Sequence, residues 1–300
     1  MKPNWIAIDW GTTNLRGWAM GPAGILTEAS SDKGMASLKP AEFEAALLDM
    51  IGPWLAGHTG APIPVYACGM VGARQGWIEA PYRAVPSAPV TAGEVMAVPV
   101  HDPRITVQIT AGLKQDKPAD VMRGEETQIA GALALFPNFD GAICLPGTHS
   151  KWAQVSAGEV VSFQTFMTGE MFALLSTQSV LRLGMGGDGW DEAAFDTGVA
   201  EGMARPERLA ASLFRLRAEG LLAGLHGDGA RAPVWPADWG RTGRCPRLLA
   251  GDGCCADWII QNHAAVCPRA GGPRGCAARA ACHRLHPCRP NPRGWPFGKG

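Results

Sequence analysis

Two stretches of this chain, about 135 residues apart, share one design: an apolar run, a small hydroxylated turn and a second run. The first is Trp5-Ile-Ala-Ile-Asp-Trp-Gly-Thr-Thr-Asn-Leu-Arg-Gly-Trp18, and the second is Gly141-Ala-Ile-Cys-Leu-Pro-Gly-Thr-His-Ser-Lys-Trp-Ala-Gln-Val155. A β-propensity run closed by a Gly/Asn turn and followed by another predicts a β-hairpin. Residues 25–29 and 160–166 extend each hairpin by a third strand. Each meander is then followed by helical patterns, so the chain predicts two similar α/β lobes with a cleft between them. The repeat is one of architecture, not of residue identity.

The turns themselves carry chemistry. Gly11 lets the backbone approach a ligand closely. Successive N–H groups through Asn14, with the hydroxyls of Thr12 and Thr13, line a concavity with donors suited to phosphate oxygens. Asp9, at the strand end, is placed to hold Mg²⁺, which takes only one or two carboxylates when it binds nucleotide phosphates. The turn at Gly147, Thr148, His149 and Ser150 offers the same groups to the other side of the cleft. The plainer alternative for either is an ordinary hairpin with a Thr-rich turn.

Between the hairpins the periodicity is clear. Pro40 opens a helix whose Phe43, Ala46, Leu47, Met50, Ile51 and Trp54 form one apolar face. Pro62 and Pro64 separate it from a short strand at 65–68, which empties into the Gly-rich loop 69–77. That loop carries Arg74, Gln75 and Trp77, a pattern that presents polar groups to a small ligand or makes a plain turn with an exposed aromatic. Alternation of Ile105, Val107 and Ile109 predicts a strand. Ile129, Leu133 and Phe136 then predict a helix with Glu125 and Glu126 in its first turn. Acidic residues there suit the helix dipole, and a helix start beside a cleft is also a frequent place for a general base. Further helices are expected at 170–183, with Met171, Leu174 and Leu175 on one face, and from Pro206, with Leu209, Leu213 and Leu216 aligned. The loop 184–189 matches GxGxxG, but it follows a helix rather than a strand, which argues against dinucleotide binding.

Composition breaks near residue 231. Of nine cysteines, only Cys68 and Cys144 precede residue 240, no Glu follows Glu219, and no Met follows Met203. From Arg241 on there are ten Lys/Arg against two Asp/Glu, although the whole chain has a formal net charge of zero. Residues 231–300 hold nine prolines and no sustained period. The segment reads as an aberrant Cys/Arg/Pro-rich tail, disordered or arising from a frameshift in a high-GC gene. Cys276, Cys282 and Cys288, with His283 and His286, lack the paired Cys-x-x-Cys spacing of zinc sites. The neutral total gives no reason to expect nucleic acid or a membrane as partner. No apolar run approaches the ~18 residues of a membrane span. The opening Met-Lys-Pro-Asn lacks a signal-peptide core, so a soluble cytoplasmic protein is expected.

Five motifs, in order between residues 5 and 180, carry a resemblance: Asp9-Trp-Gly-Thr-Thr-Asn-Leu-Arg-Gly-Trp, Met70-Val-Gly-Ala-Arg-Gln-Gly-Trp-Ile-Glu-Ala-Pro-Tyr, Met122-Arg-Gly-Glu-Glu-Thr-Gln-Ile, Leu145-Pro-Gly-Thr-His-Ser-Lys-Trp and Phe166-Met-Thr-Gly-Glu-Met-Phe-Ala-Leu-Leu. Together they resemble the bacterial 2-dehydro-3-deoxygalactonokinases, within the sugar kinase, actin and Hsp70 superfamily. The resemblance implies an actin-like ATPase fold, two ribonuclease-H-like lobes around an ATP cleft, in an N-terminal lobe over 1–118 and a second lobe begun over 119–230. No counterpart of the family's last third follows about Ala230, so the second lobe is expected to be incomplete.

It implies ATP and Mg²⁺ as cofactors and a keto-deoxy sugar acid as partner, phosphorylated on its primary hydroxyl in galactonate catabolism. The oligomeric state is left open. Asp9 to Arg16 and Gly147 to Ser150 resemble the two phosphate loops, with Lys151 or Arg16 adding positive charge. Glu125 stands where related sugar kinases carry the base of a Gly-Asp-Gln motif, with Glu126 next to it as the second choice. Arg74, Gln75, Trp77 and Tyr82 resemble the substrate-facing loop, Arg74 being the first cation for an anionic substrate. A catalytically impaired binding module of the same fold, and an ATPase or exopolyphosphatase that works without sugar, are the alternatives. His149-Ser150 has no Gly-x-Ser-x-Gly elbow to support a hydrolase nucleophile.

Overall fold

The structure, a computed structural model, describes residues 2–184, 192–222 and 266–268. Its first element is the expected hairpin, β1 (Trp5–Trp10) and β2 (Leu15–Gly21), extended by β3 (Gly24–Ser31). Alternation puts Ile6, Ile8 and Trp10 on one face of β1, and that face is buried. A 3-10 turn at Pro40 leads into α1 (Phe43–Ile51), which buries Phe43, Ala46, Leu47, Met50 and Ile51 along one stripe. Fully buried side chains of this size contribute about 1.5–3 kcal/mol each.

The chain then returns through β4 (Ile63–Gly69), parallel to β1. Pro64 lies inside this strand instead of before it. Pairing with β1 starts only at Val65, so no ladder bond to β1 is needed at Pro64. After β5 (Tyr82–Ala84) and β6 (Val95–Val98), β7 (Ile105–Thr110) pairs parallel to β4, which completes a six-stranded sheet of order β3-β2-β1-β4-β7-β6. An antiparallel meander joined to parallel strands is the ribonuclease-H-like arrangement. Its core holds Trp10, Phe43, Leu47, Val65, Val107 and Ile109.

A second core begins just after β7. β8 (Gly112–Asp116) and β9 (Ala119–Met122) form a small sheet with β5, and α2 (Glu125–Leu135) follows. The helical pattern thus starts at Glu125, and Asp120 belongs to β9. The second meander is β10 (Gly141–Leu145), β11 (Ser150–Ser156) and β12 (Glu159–Phe166), all antiparallel. Its buried Ile143, Leu145, Val155 and Phe163 pack with Leu113 and with Ile129 of α2. The small sheet is tied to β12 where Phe163 N–H donates to Gln115 Oε1 at 3.0 Å and Thr165 N–H to Asp120 Oδ2 at 2.7 Å.

The helices α3 (Thr168–Thr177), α4 (Glu192–Ala204) and α5 (Leu209–Leu222) follow β12 in the chain. Met171 and Leu174 of α3 are 48% and 44% exposed, so the face read as apolar is not covered by the described residues. Of the tail, only β13 (Val266–Pro268) is described, antiparallel beside β10. The rest of the tail, its cysteines 245–255 and 276–288, and the GxGxxG-like stretch from residue 185 lie outside the described residues. Among those described, no helix is long and apolar enough to cross a membrane.

Candidate active site

Asp9 sits one residue before the end of β1, in register with Arg16 of β2 and Cys68 of β4. The turn that follows is closed by Gly11 N–H donating to Asn14 O at 2.9 Å. Its carbonyls face the 3-10 turn at Met35: Met35 N–H donates to Gly11 O at 3.0 Å, Ala36 N–H to Thr12 O at 2.9 Å and Gly34 N–H to Thr13 O at 3.1 Å. In a trans peptide the N–H points opposite to the carbonyl. The N–H groups of Thr12, Thr13 and Asn14 therefore face away from this support, and the Thr12 and Thr13 side chains are exposed. Gly34 makes the approach possible, because a Cβ there would lie 2.1 Å from the Thr13 carbonyl carbon.

A second close approach delivers the acidic residues. Gly69 at the end of β4 has φ +92° and Gly124 before α2 has φ +106°. A Cβ on Gly124 would lie 3.2 Å from Gly69 Cα, and one on Gly69 would lie 3.3 Å from Asp9 Oδ1. The start of α2 is thereby set beside the end of β1. Glu126 is fully buried, and its Oε2 accepts the Gly124 N–H at 2.7 Å. Burial first, and then the neighbouring Glu125 charge, push its carboxyl up to about 8, so it is protonated at neutral pH. Glu125 is half-buried, and its Oε2 accepts the Arg123 N–H at 3.0 Å. Burial raises its pKa as well, opposed by the Lys151 ammonium, while Asp9 adds to the rise.

Both carboxyls are thus raised, Glu126 by full burial and the Glu125 charge, and Glu125 by burial that the Lys151 ammonium opposes. The Cys68 thiol, pushed well up by burial and then by Asp9, Glu126 and Glu125, stays neutral. Among the described residues, no group of three or more His, Cys, Asp or Glu is arranged to hold a metal ion by itself.

The second turn is built differently. Gly147 N–H donates to Ser150 Oγ at 3.4 Å, and Ser150 Oγ shares a hydrogen bond with Thr168 Oγ1 at the start of α3. Glu170 N–H donates to Thr148 O at 3.0 Å, and its carboxylate meets His149 Nε2 at 2.5 Å. Ser150 and Lys151 are buried, whereas Thr148 and His149 are exposed. The Lys151 ammonium donates to Val121 O at 2.8 Å and to Thr165 Oγ1 at 2.7 Å.

The loop after β4 folds on itself, with Trp77 N–H donating to Val71 O and Ala80 N–H to Gly72 O. Arg74 and Gln75 are exposed at its tip. Trp77 turns inward, stacked on Phe43 at 6.0 Å and edge-on to Trp10 at 6.1 Å. Tyr82 lies under the Arg123 guanidinium, 4.2 Å from ring centroid to Cζ.

Comparison with known proteins decides the family. The model of the 2-keto-3-deoxy-galactonokinase family matches residues 9–234. The chain belongs to this family. It is 37% identical over 233 residues to DgoK1 of Rhizobium meliloti (strain 1021), assigned as a 2-dehydro-3-deoxygalactonokinase, covering 76% of this chain and 75% of that one. It is also 37% identical over 227 residues to the 2-dehydro-3-deoxygalactonokinase of Escherichia coli (strain K12), covering 75% and 74%. The crystal structure of a protein assigned to the same activity from Sinorhizobium meliloti superposes with a TM-score of 0.65 at 37% identity, covering 76% of this chain and 74% of that one. Membership makes the chain a carbohydrate kinase. The family match stops at residue 234, close to the break in composition.

Within this kinase, Asp9, Glu125 and Lys151 are brought within electrostatic reach of one another from β1, α2 and β11. Two of the expected site residues turn toward the protein interior. Trp77 is half-buried, packed against the core with its ring on Phe43 and Trp10, and so anchors the loop. Lys151, expected to face phosphate, is buried with its ammonium on Val121 and Thr165, so its charge acts on Glu125. Residues not singled out from the sequence are Arg123, Cys68, Thr168 and Glu170. Arg123 was within reach, as it directly precedes the Gly-Glu-Glu motif.

Proposed function

We propose that this chain transfers the γ-phosphoryl group of ATP to the primary hydroxyl of 2-dehydro-3-deoxy-D-galactonate, giving the 6-phosphate for galactonate catabolism in the cytoplasm. The observation that carries this reading is half-buried Glu125, held beside Asp9 and next to a turn whose N–H groups face outward. Family membership supplies the substrate class. Phosphoryl transfer needs positioning and charge neutralisation more than covalent help. The turns at Gly11–Arg16 and Gly147–Ser150 hold phosphate oxygens through backbone N–H groups and hydroxyls, with Arg16 adding charge. Asp9 offers a single carboxylate beside that turn, a donor set that fits Mg²⁺ surrounded mostly by phosphate oxygen and water. When bound, Mg²⁺ supplies neutralisation of the phosphate charge. Glu125 takes the proton of the attacking hydroxyl, and Glu126, neutral and buried, supports the helix start. Arg74, Gln75 and Tyr82 border the sugar acid.

A positioned base is worth about 10²–10⁴-fold in rate. Glu125→Gln should lower turnover by that order while leaving ATP binding within about twofold; near-normal turnover would remove Glu125 from the mechanism. The decisive assay is ADP release with and without the sugar acid. Release without sugar acid would make the chain an ATPase, and binding without release would make it a binding module.

We read 1–118 and 119–230 as two lobes, although the first core ends at Ile109 and Leu113 of β8 already packs in the second. We read 231–300 as the product of a shifted reading frame. An uninterrupted reading frame in the coding DNA, shared with close relatives, would reject the frameshift.

A further inference from the structure

We propose that Arg123 is a positioning residue that couples the sugar-facing loop, residues 70–82, to Glu125, so that one residue aligns acceptor and base. The proposal rests on the kinase reading above. Arg123 has contacts at both ends. Its backbone N–H donates to Glu125 Oε2 at 3.0 Å. Its side chain reaches the loop: Nη2 donates to Ala80 O at 2.8 Å and Nε to the Tyr82 hydroxyl at 3.3 Å, with the guanidinium over the Tyr82 ring. The remaining nitrogen, Nη1, is buried and finds no acceptor among the described residues. It lies under Gly72, where a Cβ would come within 2.9 Å of it.

That unpaired donor is informative. A buried donor without a partner disfavours the fold. Where the only need is to tie two segments together, a well-packed apolar side chain is often as stable or more so. Keeping a cation here makes sense if its planar fork is required. Only such a fork reaches a carbonyl and a phenol at once while stacking on the ring, which an ammonium on a flexible stem cannot reproduce. A shift of Ala80 or Tyr82 on sugar binding is thereby transmitted through one residue to the base carboxylate.

The test measures equilibrium binding of 2-dehydro-3-deoxygalactonate and, separately, of ATP by calorimetry, on the full chain as wild type, Arg123→Met, Arg123→Lys and Tyr82→Phe. Arg123→Met should weaken sugar-acid binding about 10- to 100-fold, the scale of hydrogen bonds to a charged group, and leave ATP affinity within about twofold. Arg123→Lys should fail to restore it. Tyr82→Phe, which removes one acceptor and keeps the ring, should weaken the sugar acid about two- to tenfold in the wild type and by nothing further in Arg123→Lys, and this non-additivity decides the matter if Arg123→Met does not fold. Unchanged sugar-acid affinity, equal loss of both ligands, or full rescue by Lys overturns the coupling while the kinase reading stands. If the wild-type chain binds no sugar acid, the kinase reading falls and the inference falls with it.

Discussion

Glu126→Gln separates the two glutamates by a measurement that does not depend on activity. In the folded chain the Glu126 carboxyl titrates at about 8, against an ordinary value of 4.5 when exposed. Because the folded state holds its proton more tightly, this group stabilises the fold fully below about pH 4.5 and loses that contribution as pH rises through about 8. Between pH 6 and pH 9, a single group with these two values withdraws about 3 kcal/mol. Glutamine has nearly the same shape, can accept the Gly124 N–H and does not titrate. The variant should therefore gain about 3 kcal/mol on the wild type over that interval, or about 6–12 °C in melting temperature for a domain of this size. Thermal or urea melts of both proteins at pH 6 and pH 9 read this directly. A variant-minus-wild-type difference that is the same at both pH values would show that Glu126 carries no raised pKa, and the division of roles between the two glutamates would fail with it. Turnover of Glu126→Gln at neutral pH should stay within a few-fold of wild type, since the group it replaces is already neutral there.

Lys151→Met removes the cation that opposes the rise of the Glu125 pKa, so the acid limb of kcat/KM should move to higher pH; an unmoved limb would dissociate the two residues. Gly34→Ala would set a Cβ 2.1 Å from the Thr13 carbonyl carbon, a backbone clash that no rotamer relieves, so ATP affinity measured by calorimetry should fall at least about tenfold. Trp77→Ala should cost about 3 kcal/mol in urea melts, at the low end for Trp deletions because the ring is half-buried. Unchanged stability with a raised sugar-acid KM would return Trp77 to the ligand.

Much of the first lobe was legible because its signals are local. The alternation Ile6, Ile8, Trp10 and the stripe Phe43, Leu47, Met50 each mark a buried face without knowledge of the partner. The hydroxylated turns were legible for the same reason, since Gly, Thr and Asn carry their conformational and donor properties with them. Trp77 was not: an aromatic at the end of a Gly-rich loop has the same local sequence whether it turns out or in. Its direction is set by Phe43 and Trp10, which come from other elements. The place of Lys151 was not legible either, because its acceptors Val121 and Thr165 lie on β9 and β12.

By itself, then, the sequence determined the two strand–turn–strand units, the acidic pair at a helix start, the sugar-kinase resemblance and the break in composition. All of these are properties of short windows. Only the tertiary structure decided that Glu126 is held neutral. Neighbours on a helix point about 100° apart. That rotation sends Glu126 into full burial and leaves Glu125 half-exposed within the fields of Asp9 and Lys151. Burial and field belong to the surroundings, and the surroundings are assembled from β1, α2 and β11 only when the chain has folded.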